Sequence, residues 1–421
     1  MPDFFYKKFK GAINMSIGKK SEFYTKPYIF YLFYFNIFLF GSVQGSFISM
    51  YLTEKGVPSN YIGIISGIIQ VLCLAVAAIY GAIADKARSK NRVLIAILSV
   101  AIVLLYLFSR AQTILMVVLF QILFTITYQP VMGVYESMAI ECSRRYGYAY
   151  SPIRMSGTIG FAVMALVSGL WLNKNKAMLF PILIATMVLT FLTAFFLPEV
   201  GRNDKKEENG KQEKYDIREV YALLKDPSIL RVLIMYLFYM LCNSFSHTYF
   251  GIYMTQLGGD YAWVGIGNMI LAVSEFPFYF GPGRKFFLKL GVEKSQLFVL
   301  CLGAIRWIIV GFCNSPLVLT LTMLFNGVML VPNATQVVEF LSEKAPDHLK
   351  SSVQTALRTP FSTAGNLIAS FGGGALVGLF NKMGLDGVRY AFLCCAPVTL
   401  IAVLLIAPSV FKASKQPATE K

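Results

Sequence analysis

A small set of ionisable side chains lies within long apolar stretches of the sequence, where a charge is costly to bury. The set comprises Glu136, Arg154, His247, Glu275, Arg306 and Arg358. Ionisable groups at such positions in a bilayer are rare and mark paths for solutes, ions or protons. A guanidinium fork and a carboxylate can together hydrogen-bond several hydroxyl groups of one solute. Glu136 and Arg154 are expected to be neighbours, because a short loop joins their apolar stretches, and the alternative is a salt bridge that only orients two helices.

The elements that must position these residues are apolar helices long enough to cross a membrane. The chain has 421 residues, of which 56% are hydrophobic and only 14% charged, with a mean hydropathy of +0.60. Soluble proteins carry about 25% charged residues, so two or three soluble domains are excluded. We predict an all-α integral membrane protein with twelve transmembrane helices, because each span needs about 20 apolar residues. Spans 1 to 12 are Pro27–Leu52, Tyr61–Ala84, Val93–Ser109, Ile114–Tyr135, Ile153–Trp171, Met178–Leu197, Val232–Leu257, Val264–Tyr279, Leu297–Phe312, Leu317–Val338, Val353–Leu379 and Tyr390–Val410.

The basic residues predict the orientation of these spans. The formal net charge is +16, and 29 of the 38 Lys and Arg fall on one side when the N-terminus is placed inside. Only 6 fall on the other side. By the positive-inside rule, both termini are cytoplasmic and the protein is a multi-pass protein of the inner (plasma) membrane. The positive charge is therefore not a nucleic-acid-binding surface.

A long polar stretch in the middle divides the chain into halves of six spans. Two pseudo-symmetric six-helix bundles with both termini inside are typical of transporters built from parallel repeats. The predicted division is residues 1–26 (cytoplasmic segment), 27–198 (first bundle), 199–231 (linker), 232–410 (second bundle) and 411–421 (cytoplasmic tail).

Sequence signatures of enzymes and metal sites are missing. The seven cysteines form no CxxC pair, and the sequence contains no Walker glycine–lysine loop, HExxH or GxSxG motif. We therefore predict that the protein is not an enzyme and uses no cofactor or metal, with a proton gradient as its source of energy.

Residues 135–163 resemble the lactose permease family of oligosaccharide:proton symporters. Glu136, the Ser-Arg-Arg at 143–145, the Arg-Met at 154–155 and two glycines, Gly157 and Gly160, align with that family without a gap. The resemblance implies that Glu136 and Arg154 hold the sugar. It also implies that Phe161 stacks on the sugar ring where the family has Trp, because a Phe ring still offers a flat face.

The resemblance to the wider major facilitator superfamily extends to the loop after span 2. In Gly81–Arg92, Gly81, Asp85, Lys86 and Lys90 match the superfamily's loop signature, although Arg88 stands where Gly is usual. This match implies that Asp85 meets the N-terminus of span 11 and helps to close an inner gate. In the second half, Arg306 takes the place of an arginine involved in proton coupling.

The second half departs from the lactose permease pattern at the proton site. The family's His and Glu of span 10 correspond here to Asn326 and Met329. Glu275 is the best substitute, because it is the only acid well inside a second-half span, and an approaching cation such as Arg306 could favour release of its proton. His247 could relay the proton or bind the solute, or it could simply bond a neighbouring helix.

Uncharged polar side chains could line the same cavity, although individually they are more often contacts between helices. They are Asn36, Gln44, Gln70, Gln129, Asn243, Asn268, Asn326, Asn333 and Asn366.

The resemblance favours proton-coupled uptake (symport) of a small oligosaccharide or glycoside by alternating access. The alternatives are transport of a nucleoside, an aromatic acid or a drug within the same superfamily, uncoupled facilitated diffusion, and a sensor that has lost transport. The expected partners are a small sugar, protons and the lipid bilayer, without nucleic acid, and the expected state is a monomer.

Overall fold

The computed structural model describes residues 27–87, 89–198, 217–346, 349 and 353–415. The regular elements of this part of the chain are all helices. The predicted cytoplasmic segment 1–26, most of the linker and the last residues of the tail lie outside the described residues.

The first half contains spans 1 to 6. Span 1 is Tyr28–Glu54, span 2 Ser59–Lys86, span 3 Lys90–Ser109, span 4 Ile114–Tyr128 with Pro130–Tyr146, span 5 Tyr150–Lys174, and span 6 Leu179–Ala194 after a 3₁₀ turn at Lys176–Met178. Span 4 is interrupted at Gln129 because Pro130 begins its second helix. That helix ends at Gly147, whose φ of 73° is a left-handed conformation that glycine adopts without strain.

The second half begins with a short helix, Ile217–Ala222, and a 3₁₀ turn, Leu223–Lys225. Span 7 is Pro227–Gln256, span 8 Tyr261–Val273 with Phe276–Phe280, span 9 Val292–Phe312, span 10 Pro316–Leu321, Thr322–Leu324, Phe325–Ala334 and Gln336–Lys344, span 11 Gln354–Arg358, Thr359–Leu367, Ile368–Gly372 and Gly373–Lys382, and span 12 Gly387–Lys415. A surface helix, Pro282–Leu290, connects spans 8 and 9.

Eleven helical segments of the described residues are long and apolar enough to cross a membrane, and span 8 is the twelfth. Span 8 is divided at Ser274 and Glu275, so neither of its helices reaches the required length alone. Pro277 explains the division, because it lacks an N–H and its ring clashes with the carbonyl of Val273. The predicted twelve-helix count is consistent with this arrangement.

Span 10 contacts the break in span 8 closely. The Gly327 N–H donates a 2.9 Å hydrogen bond to the Ser274 hydroxyl, which ties span 10 to the break. A Cβ at Gly327 would overlap the Ser274 carbonyl oxygen, so only glycine allows this approach. Span 10 thereby fixes the backbone of span 8 next to Glu275.

The twelve spans form two bundles, spans 1–6 and spans 7–12. Spans 1, 5 and 6 pack together in the first bundle, and spans 7, 9, 11 and 12 in the second. Span 5 packs against span 8, span 2 against span 11 and span 1 against span 7, so these pairs join the bundles. We call the side on which span 1 begins and span 12 ends the terminal side, and the other the opposite side.

Candidate functional site

A cavity with a volume of about 570 Å³ lies between spans 5, 8, 10 and 11. Both bundles contribute to it, near their terminal-side ends. Its polar and aromatic lining includes Tyr150, Arg154, Glu275, Tyr279, Gln336, Glu339 and Arg358. We call it the large cavity.

Glu136 and Arg154 are in contact at the edge of the large cavity, as the sequence predicts. Arg154 Nη1 lies 3.6 Å from Glu136 Oε1, which is ion-pair distance rather than a short hydrogen bond. The Tyr34 hydroxyl donates to the same carboxylate oxygen at 2.9 Å and lies 2.8 Å from the Tyr150 hydroxyl. The Arg154 side chain remains 60% exposed, so it can reach a solute in the cavity.

Two glycines of span 5 explain why Tyr34 reaches this pair. A Cβ at Gly157 would lie 2.9 Å from Tyr34 Cδ1, and a Cβ at Gly160 would lie 2.6 Å from the Phe35 carbonyl oxygen. Span 5 therefore approaches span 1 closely at these positions. The role of Tyr34 could not be predicted from the sequence, because nothing in the spacing relates residue 34 to a pair more than a hundred positions away; Tyr150, four residues before Arg154, lies one helical turn from it and could have been found by that spacing. The two glycines can be seen in the sequence, but the sequence does not show which span they approach.

Glu275 lies at the break in span 8 and lines the large cavity together with Arg154. Only 8% of the residue is exposed, so the carboxyl is surrounded largely by protein. The cavity thus brings an acid of the second bundle and a base of the first bundle to the same space.

A second, smaller cavity of about 90 Å³ lies nearer the middle of the spans. We call it the central cavity. Its lining includes Phe161, Asn243, His247, Asn268, Arg306 and Asn326. The Arg306 guanidinium is buried there, with Nη2 3.4 Å from the Met323 sulfur and Nη1 4.0 Å from the Met329 sulfur. It also lies 4.7 Å from the Trp307 ring centroid.

The structure groups the predicted site residues differently from the sequence-based expectation. Phe161 lines the central cavity with Arg306, whereas Arg154 lines the large cavity with Glu275. Seven residues of helix place Phe161 about 10 Å along the span from Arg154, which accounts for the separation. Likewise, Arg306 lies fourteen residues after the terminal-side start of span 9 at Val292, about 21 Å along the axis, whereas Glu275 is near the terminal-side end of span 8.

His247 separates the central cavity from a third cavity of about 240 Å³ between spans 1, 2 and 7. The residue is exposed and belongs to the lining of both spaces. His247 is therefore placed to contact whatever occupies either cavity.

The predicted gating residues are only partly visible. The Lys90 ammonium is buried and lies 2.8 Å from the Ser137 hydroxyl and 3.0 Å from Glu141 Oε2, so it ties span 3 to span 4. The surroundings of Gly81 and the side chains of Asp85 and Lys86 lie outside what the structure describes. The contact of Asp85 with span 11 stays a prediction.

The bundles are in close contact on the opposite side. A Cβ at Gly169 of span 5 would lie 2.8 Å from the Gly265 Cα of span 8, and a Cβ at Gly63 of span 2 would lie 2.9 Å from the Gly374 Cα of span 11. We call these contacts the outer seal. The large cavity and the outer seal lie toward different ends of the same interface, as in one state of an alternating-access protein.

The sequence profile of the MFS_1 like family matches residues 24–385. The chain belongs to this family. It is 25% identical to the maltose permease of Geobacillus stearothermophilus over 386 residues, which cover 90% of this chain and 94% of the permease. The fold is similar to the crystal structure of the nucleoside transporter NupG, with a TM-score of 0.75, 17% identity and coverage of 90% and 97% of the two chains. A bacterial homologue of the lysosomal transporter Spinster, in an inward-facing conformation, gives a TM-score of 0.70 at 12% identity, with coverage of 96% and 100%.

Membership of the MFS_1 like family confirms the predicted major facilitator fold and the predicted class of protein. The chain is a multi-pass membrane transporter whose substrate is a small molecule. Within the described residues, no three His, Cys, Asp or Glu side chains are grouped so that they could hold a metal ion. The candidate site of this MFS_1 like protein is the large cavity, together with the central cavity behind it.

Proposed function

We propose that this transporter takes up a small oligosaccharide or glycoside together with a proton, by alternating access. The observation that carries the proposal is that Arg154 of the first bundle and Glu275 of the second line one cavity of about 570 Å³. A solute bridging two bundles favours the conformation in which both contact it, which couples its binding to their movement. In this proposal the terminal side is cytoplasmic, in keeping with its excess of basic residues.

The chemistry of the large cavity suits a sugar. Its volume lies in the range of about 300–1,000 Å³ that is usual for small-molecule sites. Arg154 supplies several donors, Glu136 shares its network, and the rings of Tyr150 and Tyr279 offer flat faces to sugar C–H groups. The similarity to a maltose permease over nearly the whole chain supports a disaccharide as the solute.

Glu275 is the proposed proton carrier. It is an intramembrane carboxyl at a helix break, and discontinuous helices are where transporters build coupling sites. Because Glu275 lies in the cavity with Arg154, a solute that engages this arginine also changes the surroundings of the carboxyl. Binding of the solute and binding of the proton are therefore coupled in the large cavity. Arg306 and His247 line the central cavity, the next one inward.

The direct test uses purified protein in liposomes that contain a pH-sensitive dye. External maltose should acidify the lumen, and a proton ionophore should abolish uphill accumulation of labelled maltose. Uptake of maltose without any proton movement would show that the protein is a facilitator and not a symporter. Empty liposomes and liposomes with a Glu136→Gln variant provide the controls.

A nucleoside is the second candidate solute. Phe278 and Tyr279 line the large cavity and could stack on a base as well as on a sugar ring. A thermal-shift screen over disaccharides, nucleosides and aromatic acids separates these classes, because a ligand that binds only the folded state raises its unfolding temperature. Stabilisation by a nucleoside and by no sugar would replace the sugar proposal, and stabilisation without any flux would indicate a sensor.

A further inference from the structure

Arg306 is a fully buried cation near the middle of the membrane spans. Only 1% of the residue is exposed, and it is among the largest fully buried side chains of the protein. An unpaired charge at such a depth is expensive, and buried arginines ordinarily face a carboxylate or backbone carbonyls. Arg306 is therefore expected to have an anionic neighbour.

Within the described residues, the contacts of Arg306 do not include an anion. Among the described residues, the hydrogen bonds of Nη1 and Nη2 go to the sulfur atoms of Met329 and Met323, which are weak acceptors, and Nε has no hydrogen-bond partner. The Trp307 ring stabilises the cation through its face but leaves the N–H donors unsatisfied. Glu275 lines the other cavity, not this one.

The central cavity lies next to these N–H donors and has room for an acceptor. Arg306 lines it, and the polar groups around it are three asparagines, two serines and His247, without any acidic residue. The asparagines are Asn243, Asn268 and Asn326. Amide N–H groups and a guanidinium around an acid-free space are complementary to negative charge.

We propose that the central cavity binds a compact anionic group through Arg306, with the asparagine amides as further ligands. The volume of about 90 Å³ holds several water-sized groups, since one water needs roughly 10–15 Å³, but it is small for a sugar ring. The anionic group is either a free chloride ion or a carboxylate carried by the solute. A chloride site would not depend on which neutral solute the large cavity accepts, whereas a carboxylate would belong to an acidic solute.

The experiment measures thermal unfolding of the purified full-length protein in detergent. Chloride is raised at constant ionic strength against the bulky anion of MES, and maltobionate is compared with maltose in chloride-free buffer. We expect the unfolding temperature to rise and saturate with chloride, as for a ligand that binds only the folded state. Arg306→Gln should remove the rise, whereas Arg110→Gln, the same change at an exposed position on the opposite side, should retain it.

A second variant keeps the test valid if Arg306→Gln does not fold. Asn326→Leu removes one amide of the cavity and leaves the guanidinium, so it should raise the chloride midpoint by about tenfold. A fluorescence readout is independent of unfolding. In a Trp171→Phe, Trp263→Phe background, the remaining Trp307 lies beside Arg306 and should report chloride binding.

The outcomes separate the two sources of the anion. Saturable stabilisation by chloride that requires Arg306 supports a free ion. Stabilisation by maltobionate beyond that by maltose, without a chloride effect and again dependent on Arg306, assigns the charge to the solute. The proposal is overturned if neither anion acts through Arg306, or if Arg110→Gln abolishes the effect equally. Maltose transport by the wild type can succeed or fail independently of each of these results.

Discussion

Gly169 of span 5 and Gly265 of span 8 face each other across the two bundles, so closely that a Cβ on Gly169 would lie 2.8 Å from the Gly265 Cα. The same Cβ would lie 2.9 Å from the Tyr261 carbonyl oxygen. Neither neighbour can yield by a rotamer change, because both contacting atoms belong to the backbone. The glycine pair is thus a requirement for closing the opposite side.

Gly169→Ala should therefore favour the state in which the opposite side is open. Forced overlap in a packed interface costs about 1–3 kcal/mol, which shifts a two-state equilibrium by roughly 5- to 150-fold. The measurement is alkylation of a single cysteine placed at Thr158, which lines the large cavity, in a background without the native cysteines. Labelling of this site from the terminal side should fall.

Gly41→Ala is the matched control for the seal variant, because a Cβ at Gly41 meets nothing within 4 Å. It should leave the labelling unchanged. Equal labelling in Gly169→Ala and Gly41→Ala would contradict the assignment of the outer seal.

Tyr34→Phe should weaken solute binding without removing either charge of the Glu136–Arg154 pair. The variant loses the hydroxyl that donates to Glu136 and contacts Tyr150, so the carboxylate and the guanidinium are less firmly oriented. We expect about a 5- to 20-fold loss of affinity, less than the roughly 10- to 150-fold that a direct hydrogen bond to a charged group is worth, because the hydroxyl acts on the solute only through the pair. Isothermal titration with the solute found in the screen gives the affinity.

Tyr31→Phe, one turn earlier on span 1, is the matched control and should bind normally. Glu136→Gln and Arg154→Ala should each abolish binding in the same titration. Unchanged affinity in both would mean that the pair only orients spans 4 and 5.

Glu275→Gln should separate exchange from accumulation. The amide keeps the size and polarity of the side chain but cannot carry a proton, so exchange of internal for external solute should survive while uphill accumulation is lost. Labelled-solute counterflow and gradient-driven uptake in proteoliposomes measure the two. Glu343→Gln, an exposed acid at the terminal-side end of span 10, is the control and should retain both. Persistent accumulation in Glu275→Gln would place the proton carrier elsewhere.

Asp226 predicts a pH dependence of stability at the terminal side. Partial burial disfavours its charged form, but hydrogen bonds from Ser228 and the Lys344 ammonium outweigh this effect and lower its pKa below the ordinary value of 3.8. Its carboxylate accepts from the Ser228 N–H at 2.8 Å, which caps span 7, and lies 3.2 Å from Lys344 Nζ. Because the folded pKa is depressed, this stabilisation is present above about pH 4 and is lost as the pH falls through the folded value.

Asp226→Asn should therefore unfold at a lower temperature than the wild type at neutral pH. The loss in free energy of unfolding should be under about 1 kcal/mol, since Asn still caps a helix and exposed ion pairs are weak. The difference should shrink as the pH falls below the ordinary pKa of the carboxyl. Lys344→Met should reduce the same pH dependence in part. If the difference between Asp226→Asn and the wild type grew on acidification, the pKa of Asp226 would not be lowered in the folded protein.

The spans and the contact of Glu136 with Arg154 could be predicted because they depend on local patterns. Long apolar runs fix helices in lipid, and a short loop fixes two helices as neighbours. The grouping of Phe161 with Arg306, and of Glu275 with Arg154, could not be predicted. It depends on how far each residue lies along its span and on which spans meet, and glycine contacts such as that of Gly327 with Ser274 decide this between distant parts of the chain.

The contacts between the bundles on the opposite side are neutral at the glycines but include a charged group at the rim, where the Lys176 ammonium lies 5.5 Å from the Tyr261 ring centroid. Besides the glycine contacts, Gln70 donates to the Ser370 hydroxyl at 2.8 Å and Tyr249 to the Ser59 carbonyl at 3.1 Å. Within the described residues, no ion pair joins the bundles there. Salt weakens attraction between exposed charges but hardly affects glycine packing or neutral hydrogen bonds. Of these contacts, only that of the exposed Lys176 with Tyr261 should therefore weaken in a saline medium, while the glycine packing and the neutral hydrogen bonds keep their strength.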